Sequence, residues 1–153
     1  MQVYRLAREK YSNMLSGYGA SVAGGRWNSK GVEIIYTAEN RSLAMAEVAV
    51  HLSLATLPND FNMLSIFIPD YLSVEELELK SLPKNWNVFP PPRTTQLIGD
   101  TFIRSFRTCL LRVPSAVTQG DFNYLINPYH KEFKKIKIFK KESFKFDDRL
   151  FFS

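Results

Sequence analysis

Two periods of hydrophobic positions run through this chain. Short apolar stretches rich in β-branched and aromatic residues predict strands at residues 3–6, 32–37, 63–68, 109–113 and 122–126, and a closing pair at 136–139 and 144–146. Residues 7–14 predict a helical turn, and residues 73–79 a short acidic element. Asn40 or Ser42 suits the N-cap of a helix running to about Ala55, before Pro58. That helix is apolar almost all round, so it is expected to lie largely inside the protein. Its polar residues Glu47 and His51 stand four apart and share one face. Residues 94–107 predict a second helix despite Gly99, while Pro90-Pro91-Pro92 forbids helix between residues 84 and 93. Strands and helices mix without regular βαβ alternation, and neither a repeat nor a linker interrupts them. The expectation is one compact α+β domain over residues 1–153.

Composition narrows the chemistry. With 45% hydrophobic and 23% charged residues, 153 residues can bury a core without disulfides or metals. The single cysteine, Cys109, excludes an intrachain disulfide and a cysteine-rich zinc site, and fits a reducing cytoplasm. The two histidines, His51 and His130, exclude a three-histidine metal site. No targeting segment or membrane span is legible, so a cytoplasmic location is expected. The net charge of +5 is concentrated at the end: residues 131–153 hold eight basic and four acidic side chains. A solvated face explains this better than a nucleic-acid surface, because no nucleic-acid motif accompanies it.

The most unusual stretch is residues 17–31, which hold five of the seven glycines and predict a long irregular loop. The P-loop, the dinucleotide-binding glycine fingerprint, the Gly-x-Ser-x-Gly elbow and His-Glu-x-x-His are all absent. Chemistry must then rest on arginine, carboxylate, tyrosine, hydroxyl and amide groups. Arg26, after Gly24-Gly25, is placed to grip a phosphate or carboxylate with two prongs, or is a surface loop arginine. Tyr36 ends a strand and can stack on a flat ring, or is a core tyrosine. Glu47 on an apolar helix needs a partner or a ligand if it faces inward. Ser115 and Asn127 follow strands beside prolines, where polar groups project into clefts or cap turns.

Five blocks fall in order: Gly24-Gly25-Arg26-Trp27-Asn28, Ile35-Tyr36-Thr37-Ala38, Leu43-Ala44-Met45-Ala46-Glu47, Val113-Pro114-Ser115-Ala116-Val117 and Asn123-Tyr124-Leu125-Ile126-Asn127-Pro128. With Tyr4-Arg5, Ile98-Gly99-Asp100 and residues 146–150, the series resembles the RES-domain toxins of bacterial type II toxin–antitoxin systems. Phe102 stands where that family often has tryptophan. The resemblance implies an ADP-ribosyltransferase-like fold and NAD as substrate, with no cofactor besides. NAD would be cleaved at the nicotinamide–ribose bond, by hydrolysis or phosphorolysis, or used to ADP-ribosylate a protein. It also implies Arg26, Tyr36, Glu47 and Ser115 as catalytic residues, with Asn127 joining Arg26, Tyr36 and Ser115 in binding NAD. The implied partner is an Xre-like helix-turn-helix antitoxin, through which any nucleic acid would be met. A non-catalytic basic binding module is the alternative from a different class.

Overall fold

The computed structural model describes residues 1–151. Seven strands and three helices follow in the order β1 (Gln2–Arg8), α1 (Tyr18–Ala23), β2 (Ile35–Ala38), α2 (Arg41–Ala49), β3 (Phe61–Phe67), β4 (Val74–Glu76), α3 (Arg93–Ser105), β5 (Leu110–Pro114), β6 (Phe122–Ile126) and β7 (Lys137–Phe144). The strands form one sheet in the order β4-β5-β6-β2-β1-β3-β7. All neighbours are antiparallel except β4 and β5. This mostly antiparallel sheet with helices is the α+β architecture expected from the irregular alternation of elements.

The sheet is unevenly sewn. β1 pairs with β3 along seven positions, whereas it meets β2 at one, Tyr4 opposite Ala38. Two half-sheets therefore meet at a nearly open seam, β4-β5-β6-β2 on one side and β1-β3-β7 on the other. Strand alternation sends Val3, Leu64, Ile66, Leu110 and Ile126 to one face, where they pack in a single cluster. On the other face each half-sheet carries its own helix. Phe102 and Ile103 of α3 pack on Leu111, Val113 and Leu125, together with Trp27 and Trp86. Leu43 and Ala44 of α2 pack on Leu6, Phe61, Met63 and Phe146. Burying side chains of this size contributes about 1.5–3 kcal/mol each, enough to hold both helices down. The space left between the helices, above the seam, is a large cleft.

Several elements depart from expectation. α2 stops at Ala49 rather than near Ala55, with Val50 as its C-cap and a 3₁₀ turn at Leu54–Thr56 beyond. Its N-cap is Asn40, whose side chain accepts from the Leu43 amide at 2.8 Å. Nor is α2 largely inside: only Leu43 and Ala44 are buried, while Met45 and Ala49 are partly covered by the core and Val48 borders the open cleft. The glycine-rich segment is not wholly irregular, since residues 18–23 form α1. β1 continues through Arg8 to a 3₁₀ turn at Glu9–Tyr11 where a helical turn was expected after residue 6. The acidic element becomes the short edge strand β4. The two expected closing strands are one continuous strand, β7, on the opposite edge. Its lysines are tolerated there because an edge strand keeps one side in water, where charge also discourages pairing with other chains.

Candidate active site

The cleft has a volume of about 1030 Å³ and is lined in part by Arg5, Gly25, Arg26, Tyr36, Glu47, His51, Gln96 and Asn123. That is at the upper end of the range for small-molecule and cofactor sites, about 300–1,000 Å³. Its walls are the Arg26 loop, α2, and residues around 87–91.

Arg26 is placed by close packing of backbone. Gly25 sits so near Tyr36 that a Cβ there would come within 2.6 Å of the phenol oxygen. The Tyr36 hydroxyl accepts from the Trp27 amide at 3.0 Å and donates to Asn28 Oδ1 at 2.6 Å. Asn28 is fully buried and its amide nitrogen donates to the carbonyls of Ala20 and Val32. These bonds fix the loop, and Arg26 projects from it into the cleft. Its Nη1 donates to the carbonyl oxygens of Trp86 at 2.7 Å and Val88 at 2.9 Å. Both Nη1 hydrogens are thereby used. No acceptor among the described residues takes Nε or Nη2, the edge suited to bidentate binding of a phosphate. Burial lowers the Arg26 pKa while the nearby Glu47 carboxylate opposes that change; a guanidinium stays protonated regardless.

Glu47 faces the cleft from α2. Its Oε1 accepts from Ser115 Oγ at 3.0 Å, and Asn123 lines the same cleft beside it. Burial pushes its pKa above the ordinary carboxylate range, against the pull of Ser115, Asn123, Arg26 and His51. A carboxylate held this way is poised to respond to positive charge built nearby. Burial likewise raises the Tyr36 pKa, so its hydroxyl stays neutral and keeps its two bonds while its ring faces the cleft.

Four of the five candidates thus converge. Arg26, Tyr36 and Glu47 line the cleft, and Ser115 stands directly behind Glu47. Ser115 also accepts from the amides of Val117 and Thr118, both at 3.0 Å, so it caps a turn while holding the acid. Asn127 is not brought to the cleft. It is fully buried, donates to the Ile103 carbonyl at 3.0 Å and accepts from the Tyr129 amide at 2.9 Å, tying α3 to the end of β6. Its turn-capping geometry consumes the polar groups that a pocket residue would offer.

Sequence reasoning did not single out Arg5, Gln96 or Asn123 as site residues. Arg5 reaches across the seam, where its Nη1 donates to the Tyr36 carbonyl at 2.9 Å, and burial lowers its pKa. Its signal was a charge inside an otherwise apolar strand, Val3-Tyr4-Arg5-Leu6. Asn123 also donates to the Thr37 carbonyl, at 3.2 Å. His51 does border the cleft, its ring centroid 6.0 Å from that of Phe89. Cys109 lies buried in the sheet, with its thiol pushed up to about 12 by burial, and takes no part. Among the described residues no group of three His, Cys, Asp or Glu side chains is arranged to hold a metal ion, and no helix is long and apolar enough to cross a membrane.

Comparison with known proteins identifies the family and the fold. The family model of the RES domain matches residues 2–147. A protein of Sphingobium sp. (strain YBL2) named Prs ADP-ribosylating toxin is 39% identical over 146 residues, covering 94% of this chain and 91% of the relative. Toxin Res of Yersinia enterocolitica is 38% identical over 98% of this chain and 99% of its own. Toxin Res of Photorhabdus laumondii is 39% identical over 98% and 97%. In fold the chain is similar to a chain in the crystal structure of the M. tuberculosis MbcT–MbcA toxin–antitoxin complex. The TM-score is 0.73 at 18% identity, over 94% of this chain and 83% of that one. The match runs almost end to end in both the family model and the relatives, and on that evidence this chain belongs to the RES-domain family.

Proposed function

We propose that this protein is the toxin of a type II toxin–antitoxin system and that it cleaves the bond between nicotinamide and ribose in NAD. The observation that carries this is the convergence of Arg26 and Glu47 on one dinucleotide-sized cleft, with Ser115 holding the acid from behind. Breaking that bond builds positive charge on the ribose, as in glycoside cleavage. Glu47 stabilises the developing cation and can accept a bond from a ribose hydroxyl or orient the attacking group. Arg26 presents Nε and Nη2 to the pyrophosphate, and Arg5 adds a second positive charge to the same cleft. Tyr36 offers its ring as a wall for the nicotinamide.

The acceptor of the ADP-ribosyl group is water or inorganic phosphate in this account. Transfer to a protein is the second reading, favoured by the name of the Sphingobium relative. The kinship with Res toxins and the fold shared with a toxin–antitoxin complex support an antitoxin partner, for which an Xre-like protein is proposed, and action on the cytoplasmic NAD pool. The basic binding module is less well supported. Lys140 and Lys141 at the chain's end already pair with Glu142 and Glu9, leaving no compact, free cationic stripe on β7.

Product analysis with NAD tests the proposal. The purified protein is expected to release nicotinamide, and Glu47→Gln to lose at least about 100-fold in rate while remaining folded, in line with removal of a transition-state stabiliser. Free ADP-ribose in solution indicates hydrolysis, a phosphorylated product phosphorolysis, and a labelled protein transfer. Intact NAD with wild-type protein under all three conditions removes the proposal.

A further inference from the structure

The face of α3 that meets the Arg26 loop is polar where a packing face would ordinarily be apolar. Arg93, Gln96 and Asp100 are spaced three and four apart and so share one side of the helix. Gln96 Nε2 donates to the Gly25 carbonyl at 3.1 Å. Asp100 accepts from the Ser29 amide at 2.9 Å through Oδ1 and from the Ser29 hydroxyl at 2.5 Å through Oδ2. Arg93 Nη1 in turn donates to Ser29 Oγ. Between these contacts Gly99 lies directly against the Trp27 carbonyl, where a Cβ would sit 1.6 Å from the oxygen. Residues 25–29 are thus laid along α3 and fastened at both ends.

Asp100 is 1% exposed, and none of the ion pairs among the described residues includes it. A buried carboxylate that serves only fold stability is poorly rewarded unless its bonds are geometrically specific. Here both oxygens are spent on one residue, Ser29, three positions after Arg26. We propose that Gln96 and Asp100 are positioning residues for Arg26: they anchor the two ends of the 25–29 loop and so fix the direction in which the guanidinium enters the cleft. Neither acts on substrate through its own charge. The consequence for substrate binding rests on the NAD reading above; the anchoring of the loop does not.

The test combines a double-mutant cycle with hydrogen exchange. NAD affinity is measured by calorimetry with Glu47→Gln present throughout, so that NAD is not consumed. Gln96→Ala is expected to weaken NAD binding about five-fold when Arg26 is present, the scale of one lost hydrogen bond. With Arg26→Ala, the same change is expected to have no further effect, because coupled residues are non-additive. Asp100→Ala should behave likewise and Asp100→Asn should recover most of the affinity, since the amide retains an acceptor for the Ser29 amide. Equal losses with and without Arg26 would overturn the inference. Exchange supplies a readout that does not involve NAD: amides of residues 25–29 should exchange about ten-fold faster in Gln96→Ala and Asp100→Ala, with β1, β3 and β6 unchanged. Should Asp100→Ala not fold, Gln96→Ala and Asp100→Asn carry both measurements. Should the parent protein fail to bind NAD, the substrate reading falls, and unchanged exchange across residues 25–29 then overturns the anchoring itself.

Discussion

The two helices beside the cleft, α2 and α3, are built on opposite plans. α3 has thirteen residues and two contrasting sides, with Phe102 and Ile103 buried in the core and Leu97 and Arg104 toward water. α2 has nine residues and apolar positions on nearly every side, yet buries only Leu43 and Ala44. A helix that is apolar all round is usually enclosed by protein. α2 instead uses part of its surface as the wall of a cavity, where an apolar side chain gains contact when a ligand fills the space. The amphipathic helix is thus the scaffold that holds a loop, and the uniformly apolar helix carries the acid. Uniform hydrophobicity interrupted by one carboxylate marks a cavity wall here.

The contrast breaks most visibly at Gly99. Gly99→Ala puts a methyl group into the Trp27 carbonyl, and nothing flexible stands there to yield. The expected cost is about 3 kcal/mol, at the high end for overpacking, and a fall of roughly 6–12 °C in melting temperature by calorimetry. A smaller effect is expected at the start of α2. Asn40→Ala removes the cap on the Leu43 amide and should cost about 1 kcal/mol, read by urea unfolding, with the m-value unchanged. A third effect, no larger, has the opposite sign. The raised pKa of Glu47 means that the folded protein binds its proton more tightly than the unfolded chain does. Its contribution to stability is full below the unfolded value and is lost as pH rises through the folded value. Glu47→Gln should therefore melt about 2–4 °C higher than wild type near pH 7.5, on the scale of 1 kcal/mol. The gap should close on acidification toward pH 4. An equal gap at both pH values would show that burial does not strain this carboxylate.

Much of this arrangement is legible in the amino-acid sequence, for definite reasons. β3, β5 and β6 read clearly because each is a short apolar run bounded by turn residues. α3 read within two residues at either end despite Gly99. The end of α2 did not, since residues 50–55 are as apolar as those before and no glycine marks the stop. α1 was hidden because six residues without a side-chain cap carry almost no periodic signal. Arg26, Tyr36, Glu47 and Ser115 stood out as residue types in unusual surroundings. Arg5 and Gln96 did not, because their importance lies in which backbone carbonyl they meet, 31 and 71 positions away. Asn127 carried the same sequence signal as Ser115 but stands at the opposite end of the antiparallel β5–β6 pair, which only the pairing of those strands reveals.

Ser115 has a hydroxyl with no rotational choice. Its lone pairs are already engaged by two backbone amides, so its one hydrogen can only be spent on the acid across from it. The carboxylate of Glu47 is consequently made unequal by its own neighbour, one oxygen tethered and the other left to meet whatever enters. Lopsidedness of that kind turns a symmetric anion into a directed one before any substrate arrives.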